Sequence, residues 1–122
     1  LVKKSDFLIV TAPLNEESHH LFDLKTFEQM KPSAILVNIG RGPIIKESDL
    51  IVALENNLIA GVALDVLESP PDVAAQLKKR SNVTLTPHLG SATTEARIAM
   101  SKLVVNAIID VYQGRVPNYS VS

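Results

Sequence analysis

Short apolar runs alternate with amphipathic stretches along most of the chain. Four of these runs are rich in β-branched residues and are typical of buried parallel strands, at residues 7–10, 34–38, 59–64 and 82–86. The spacing of apolar positions between them predicts helices over residues 23–30, 47–56 and 73–79. Regular alternation of strands and helices predicts an α/β fold with a parallel sheet and right-handed crossovers. The pattern does not give the order of the strands.

The longest predicted helix follows the last strand. We expect Ser91 to be its N-cap, Gln113 to lie near its end and Gly114 to close it. Its apolar stripe is interpreted either as core or as a packing face against another domain; the stripe contains Ala96, Met100, Leu103, Val104, Ala107, Ile108 and Val111. Asp23 and Glu47 are interpreted as acidic residues at helix starts, with Asp23 as an N-cap.

Two polar loops directly follow predicted strands and carry the candidate chemistry. The first is residues 38–42, with Arg41 between two glycines, and the second is residues 86–91, with His88 after a proline. Open α/β folds bind ligands at the carboxyl ends of their parallel strands. A guanidinium holds a carboxylate with a planar fork, and an imidazole passes a proton near neutral pH. The pairing therefore predicts a site for a 2-oxo or 2-hydroxy acid.

Composition and charge exclude several other classes of function. The 122 residues allow one domain at most, and a formal net charge of -1 argues against nucleic acid or an anionic membrane as the main partner. No apolar run approaches the length that spans a bilayer. The absence of cysteine excludes disulfides and thiolate metal sites, and it fits the cytoplasmic location that we expect. His19 and His20 are interpreted as solvated and too few for a metal site, so no metal is expected.

Seven motifs, in order and at characteristic spacing, resemble the carboxyl-terminal part of the D-isomer-specific 2-hydroxyacid dehydrogenase family, and within it the glyoxylate/hydroxypyruvate reductase-like members. They are Ser5-Asp6-Phe7, Ala12-Pro13-Leu14, Met30-Lys31-Pro32, Asn38 to Gly42, Leu64-Asp65-Val66, Thr86-Pro87-His88 and Gly90-Ser91. The resemblance implies a partial Rossmann-like, NAD(P)-binding domain with a long carboxyl-terminal helix. It further implies hydride transfer between NAD(P)H and C2 of a small-molecule 2-oxo acid such as glyoxylate or hydroxypyruvate, and a homodimer when intact.

The same resemblance implies roles for individual residues. Arg41 would hold the substrate carboxylate and carbonyl, and His88 would protonate the carbonyl oxygen on reduction and act as the base in reverse. The cofactor, NAD or NADP, would be contacted by Thr11, Pro13, Ile39, Gly40, Asp65, Gly90 and Ser91. The residues do not decide between the two cofactors.

The chain departs from the family pattern in two places. No three of its five glycines fit G-x-G-x-x-G, the fingerprint that holds the pyrophosphate, so we expect a piece of a longer protein. Residues 1–122 would then be the carboxyl-terminal part of the nucleotide-binding domain, with residues 92–122 leading toward a substrate domain. The family's histidine-orienting glutamate lies five positions after the aspartate, where this chain has Pro70. Glu68 is the other acid that could take that role.

Simpler interpretations stay open for each candidate. Arg41 could pair with Glu47 on the surface, His88 could be an ordinary hydrogen-bonded residue, and Asp65 could be a turn or cap residue. A non-catalytic NAD-binding or interaction protein on the same fold is the alternative to an oxidoreductase. In either case we expect this chain alone to be inactive, because it lacks the pyrophosphate side of the cleft.

Overall fold

Four parallel strands form the sheet in a computed structural model that describes residues 1–69 and 75–118. The strands are β1 (Phe7–Val10), β2 (Ile35–Asn38), β3 (Gly61–Leu64) and β4 (Val83–Leu85). Their order in the sheet is β1-β2-β3-β4, so each strand lies beside the one that precedes it in the chain. The predicted α/β class with a parallel sheet is confirmed.

Helices separate the strands. They are α1 (Leu24–Phe27), α2 (Glu47–Glu55), α3 (Ala75–Lys78) and α4 (Thr94–Tyr112), with 3-10 turns at Val2–Lys4 and Gly42–Ile44. The helix predicted over residues 23–30 ends earlier, because the amides of Gln29 and Met30 bond to carbonyls three residues back and tighten the chain out of α geometry. Residues 73 and 74 of the predicted third helix lie outside the described residues.

One face of the sheet forms the core. Register places Leu8, Leu36 and Val62 side by side, and all three are buried. Helices α1 and α2 cover this face with buried side chains such as Phe27 and Leu50, and each such side chain contributes about 1.5–3 kcal/mol on burial. Asn38 lies two residues after Leu36 on the same face of β2, and its side chain is fully buried among apolar neighbours. The side-chain amide of Asn38 marks the point where the sheet meets the candidate site.

The chain divides into two compact units, residues 1–88 and residues 89–122. The second unit contains α4, and none of the residues of α4 is buried. The interpretation of its apolar stripe as core is therefore wrong, while a packing face against another domain stays a prediction. Across the described residues, no helix combines the length and the apolar character needed to cross a membrane.

The N-cap of α4 is Thr93, not Ser91 as predicted. The hydroxyl of Thr93 accepts a hydrogen bond from the Ala96 amide at 3.1 Å, with the backbone of Thr93 extended. Ser91 lies in the turn before this point, too far ahead to reach the first free amides of the helix. The other end is confirmed: Gln113 is the C-cap, and Gly114 follows it with φ of +71°.

Replacing Thr93 by alanine should therefore destabilise the first turn of α4 by about 1 kcal/mol, because one amide at the helix start loses its acceptor. Amide hydrogen exchange of residues 95–97 measures the change. Ser91→Ala is the matched control and should leave these exchange rates as they are. Faster exchange in Ser91→Ala than in Thr93→Ala would contradict the assignment.

Candidate active site

Three loops meet at the carboxyl edge of the sheet. The amide that follows each strand bonds to the last carbonyl of the strand before it: Ile39 to Val10 at 3.1 Å, Asp65 to Asn38 at 3.0 Å and Thr86 to Leu64 at 3.0 Å. These bonds align the strand ends, so the loops after β2, β3 and β4 leave the sheet side by side.

A cavity of about 780 Å³ opens between these loops. Arg41 and His88 both line it, although they come from loops that are separated by the whole of β3. Among the described residues, the lining consists of Arg41, Gly42, Pro43, Asp65, Val66, Leu67, Glu68, Leu85, Thr86, Pro87 and His88. The volume suits a small-molecule ligand. Geometry thus brings the two candidate residues to one cavity, and their catalytic roles stay predictions.

Asn38 fixes the turn that carries Arg41. Its side-chain oxygen accepts a hydrogen bond from the Gly40 amide at 3.0 Å, and its side-chain nitrogen donates to the Arg41 carbonyl at 2.9 Å. The first bond is buried and the second is partly buried, so together they hold the turn in one conformation. No separate role was predicted for Asn38 from the sequence. The available signal was an amide at the last position of an apolar strand, where burial demands hydrogen-bond partners.

The Arg41 side chain is exposed at the cavity. Its guanidinium donates one hydrogen bond, to the Gly40 carbonyl at 2.8 Å, and pairs with no carboxylate in the described part of the chain. The alternative pairing with Glu47 is wrong, because the Glu47 carboxylate accepts from the Glu68 amide instead. Most of the guanidinium donors are therefore left for an anionic ligand.

His88 has an uncommon backbone conformation. Its φ is +56°, in the left-handed region, and its amide donates to the Thr86 carbonyl at 3.0 Å. Such conformations cost about 1 kcal/mol or more and are concentrated at functional sites. Within residues 1–69 and 75–118, no carboxylate hydrogen-bonds the imidazole. Pro70, at the position of the family's glutamate, lies outside the described residues.

Asp65 lies at the floor of the same cavity and is only 8% exposed. Its carboxylate accepts a hydrogen bond of 2.5 Å from the Thr86 hydroxyl, which joins the loops after β3 and β4. Sequence reasoning placed Asp65 at the site but gave Thr86 no role of its own. The hydroxyl fixes the orientation of this carboxylate at the cavity.

The other predicted cofactor residues fall into two groups. Gly40 packs on the loop after β1, where a Cβ atom would lie 2.8 Å from the Ala12 carbonyl oxygen; Thr11 and Pro13 flank that contact and are exposed, as is Ile39. Gly90 and Ser91 lie in the turn ahead of α4, in the second compact unit. Contact of these residues with a cofactor stays a prediction.

Glu68 joins three segments at the rim of the cavity. Its carboxylate contacts His20 Nε2 at 2.5 Å and accepts from the Glu47 amide at 2.9 Å, while its own amide donates to the Glu47 carboxylate at 2.7 Å. The expectation that His20 is solvated is therefore wrong. The carboxylate of Glu68 bonds to His20 and to the Glu47 amide, not to His88.

These contacts lower the pKa of Glu68. Burial is the largest single influence and raises it, but the hydrogen bonds from the Glu47 amide and His20, together with the charges of His20 and His19, outweigh burial. The carboxylate form is thus favoured in the folded chain.

The chain belongs to the D-isomer-specific 2-hydroxyacid dehydrogenases, since the model of their NAD-binding domain matches residues 1–90. A relative from Staphylococcus aureus strain MRSA252, provisionally named a 2-hydroxyacid dehydrogenase, is 49% identical over all 122 residues. The chain spans 38% of the length of that relative.

Solved structures of the family resemble this fold closely. An NADPH-dependent glyoxylate/hydroxypyruvate reductase from Sinorhizobium meliloti, in complex with NADP and malonate, is 36% identical with a TM-score of 0.87; the match covers 91% of this chain and 35% of that one. A D-lactate dehydrogenase with NAD+ from Lactobacillus jensenii is 28% identical with a TM-score of 0.89, over 99% of this chain and 41% of that one. The Rossmann-like fold is therefore confirmed.

Gly42 is the point where the arginine turn touches the loop after β3. A Cβ atom there would lie 1.7 Å from the Leu67 carbonyl oxygen, so Gly42→Ala should reduce the free energy of unfolding by more than about 3 kcal/mol. Gly114→Ala is the control, because a Cβ atom there has open space around it. Its only cost is an alanine held at positive φ, which reduces the free energy of unfolding by about 1–2 kcal/mol. Urea unfolding measures both, and equal losses would contradict the close approach.

The lowered pKa of Glu68 predicts how its contribution to stability depends on pH. The unfolded chain binds this proton more readily than the folded chain, so the contribution is complete above the ordinary value of 4.5 and is lost as pH falls through the lower folded value. We expect the difference in unfolding free energy between the unmodified protein and Glu68→Gln to follow that course. Other carboxylates, such as Asp23, whose pKa the Thr26 amide lowers, are common to both proteins and cancel. A difference that stays constant with pH would contradict the prediction.

Proposed function

We propose that this chain supplies the substrate-facing part of an enzyme that transfers hydride between a nicotinamide cofactor and C2 of a 2-oxo acid, with glyoxylate or hydroxypyruvate as substrate. The observation that carries the proposal is the shared cavity of Arg41 and His88. Two features support the substrate class: the cavity takes a small-molecule ligand, and its exposed arginine has donors left for a carboxylate.

The two residues divide the work on the substrate. The guanidinium of Arg41 binds the carboxylate and orients the neighbouring carbonyl, which fixes the acid in one position. His88, as imidazolium, holds the proton that the carbonyl oxygen takes up while C2 gains hydride, so the C=O double bond becomes a C–O single bond with one new C–H and one new O–H bond. In the reverse direction the neutral imidazole takes the hydroxyl proton.

The residues present fit the nicotinamide end of the cofactor. When bound, the reduced nicotinamide supplies the hydride. Its carboxamide is a hydrogen-bond donor, and Asp65 presents an oriented carboxylate acceptor on the floor of the cavity. The G-x-G-x-x-G fingerprint for the pyrophosphate is not in this sequence, so these residues hold one end of the cofactor only. Whether the cofactor is NAD or NADP is left to the assay below.

The proposal extends to the natural-length protein. Residues 1–122 would be the carboxyl-terminal part of its nucleotide-binding domain, with residues 92–122 leading to a substrate domain. The apolar, unburied α4 fits a packing role against further protein. We propose that the natural-length protein is a cytoplasmic homodimer. We also propose that this chain alone lacks activity, because it holds only half of the cofactor cleft.

A second candidate function is a non-catalytic NAD(H)-binding or interaction protein. Two observations favour it: Pro70 occupies the position of the histidine-orienting glutamate, and no described carboxylate bonds to His88. Loss of such an orienting group reduces the rates of related catalytic sites by orders of magnitude. The retained arginine and histidine at one cavity oppose this candidate, since binding a cofactor alone requires neither.

Oxidation of NADH and of NADPH by the natural-length protein, with glyoxylate or hydroxypyruvate, tests the proposal. We expect turnover, with kcat/KM lowered about 100-fold or more in Arg41→Ala and kcat lowered about 100-fold or more in His88→Gln. Arg41→Lys keeps the charge without the fork and should recover only part of the loss. Glu55→Ala, an exposed position on α2 away from the cavity, is the control and should retain full turnover. Cofactor binding without turnover by the unmodified protein would favour the second candidate.

A further inference from the structure

The Glu68 contacts place a carboxylate between the arginine turn and the loop that carries Asp65. Glu68 ends the segment 65–68 along one wall of the cavity, and its partners His20 and Glu47 come from the loop after β1 and from the start of α2. No other described side chain bonds to both of these segments at once. This set, Glu68 with His20 and Glu47, is called the Glu68 clamp below.

One arm of the clamp reaches the arginine turn through His20. The His20 amide donates to the Pro43 carbonyl at 2.8 Å, two residues after Arg41. His20 holds this position with φ of +52°, a left-handed conformation that is unfavourable for a residue with a side chain. Such a conformation persists only where surrounding bonds fix it. The bond between the His20 imidazole and the Glu68 carboxylate helps to hold His20 in this conformation through its side chain.

A second contact, which does not involve the side chains of the clamp, joins the arginine turn and the Asp65 loop directly through their backbones. Gly42 lies so close to the Leu67 carbonyl that no side chain fits between them. The arginine turn thus rests on the residue that precedes Glu68. A shift of the segment 65–68 must move the turn, because packed backbone atoms cannot pass one another.

We infer that Glu68, held by His20, is a positioning residue for the 2-oxo acid: it fixes the arginine turn against the Asp65 loop and so sets where Arg41 grips the substrate carboxylate. This inference rests on the proposed function. Glu68 lines the cavity, but its carboxylate bonds to His20 and to the Glu47 amide, so it acts on a group that binds rather than reacts. The carboxylate keeps its charge from ground state to transition state, so a displaced Arg41 weakens both states alike. Loss of the clamp should therefore raise KM and leave kcat nearly unchanged.

Steady-state kinetics of the natural-length protein with glyoxylate test this. Glu68→Ala removes both carboxylate bonds and should raise KM about tenfold, the effect of losing one charge-assisted hydrogen bond, with kcat within about threefold. Glu68→Gln retains an acceptor for the Glu47 amide, so its KM should stay close to that of the unmodified protein. Glu55→Ala is the matched control, an exposed glutamate of α2 with no bond to another described side chain.

A double-mutant cycle with His20 separates positioning from stability. His20→Gly removes the imidazole and also relieves the left-handed strain, so it should raise KM while costing little stability. In Glu68→Ala combined with His20→Gly, KM should be no higher than in Glu68→Ala alone, because the two residues act through one bond. If the increase in KM in the double variant equals the product of the increases in the two single variants, the proposed role of the clamp is overturned.

The outcomes also separate this inference from the proposed function. Turnover by the unmodified protein with an unchanged KM in both Glu68→Ala and His20→Gly would overturn the clamp and leave the proposed function standing, even if both variants melt earlier. Should Glu68→Ala fail to fold, the KM of His20→Gly alone decides. No turnover with NADH or NADPH on either acid would overturn both.

Discussion

The carboxyl edge of the sheet depends on backbone hydrogen bonds that continue one residue beyond each strand. Three amides, those of Ile39, Asp65 and Thr86, bond to the last residues of the strands before them. In a parallel sheet, such bonds continue the ladder and keep the ends of strands that lie far apart in sequence aligned. Everything at the candidate site follows from this alignment: the cavity lies where three loops leave together, and its chemistry is whatever those loops carry.

Much of this arrangement could be predicted from the sequence, because the relevant signals are local. Apolar runs identify the strands, and parallel pairing sends Arg41 and His88 to the same edge in whatever order the strands pair. The order itself could not be read, since a right-handed crossover allows many neighbours. Long-range contacts were missed for a related reason. His20 and Glu68 are separated by 48 residues, and nothing near His20 in sequence indicates a partner.

Local signals also failed where two candidates competed at short range. Ser91 and Thr93 are both good caps, and the choice depends on which residue has an extended backbone when the helix begins. Asn38 presents the opposite case. Its position at the end of a strand was recognised, but its two bonds to the arginine turn depend on the burial of its amide, which is a property of the folded sheet. Burial and backbone conformation are the two quantities that sequence spacing does not supply.

The two glycines beside Arg41 have a consequence for the range of substrates that such a site can acquire. Backbone oxygens of Ala12 and Leu67 press on Gly40 and Gly42, so both positions are closed to every other amino acid unless the neighbouring loops move. The backbone of the turn is therefore held by close packing on both sides of Arg41. For the proposed function, a change of specificity is expected at lining residues outside this contact, such as Leu85 and Pro87 at the end of β4, whose side chains can be exchanged. In terms of the proposed function, the contact with the carboxylate stays constant while the remainder of the substrate is open to selection.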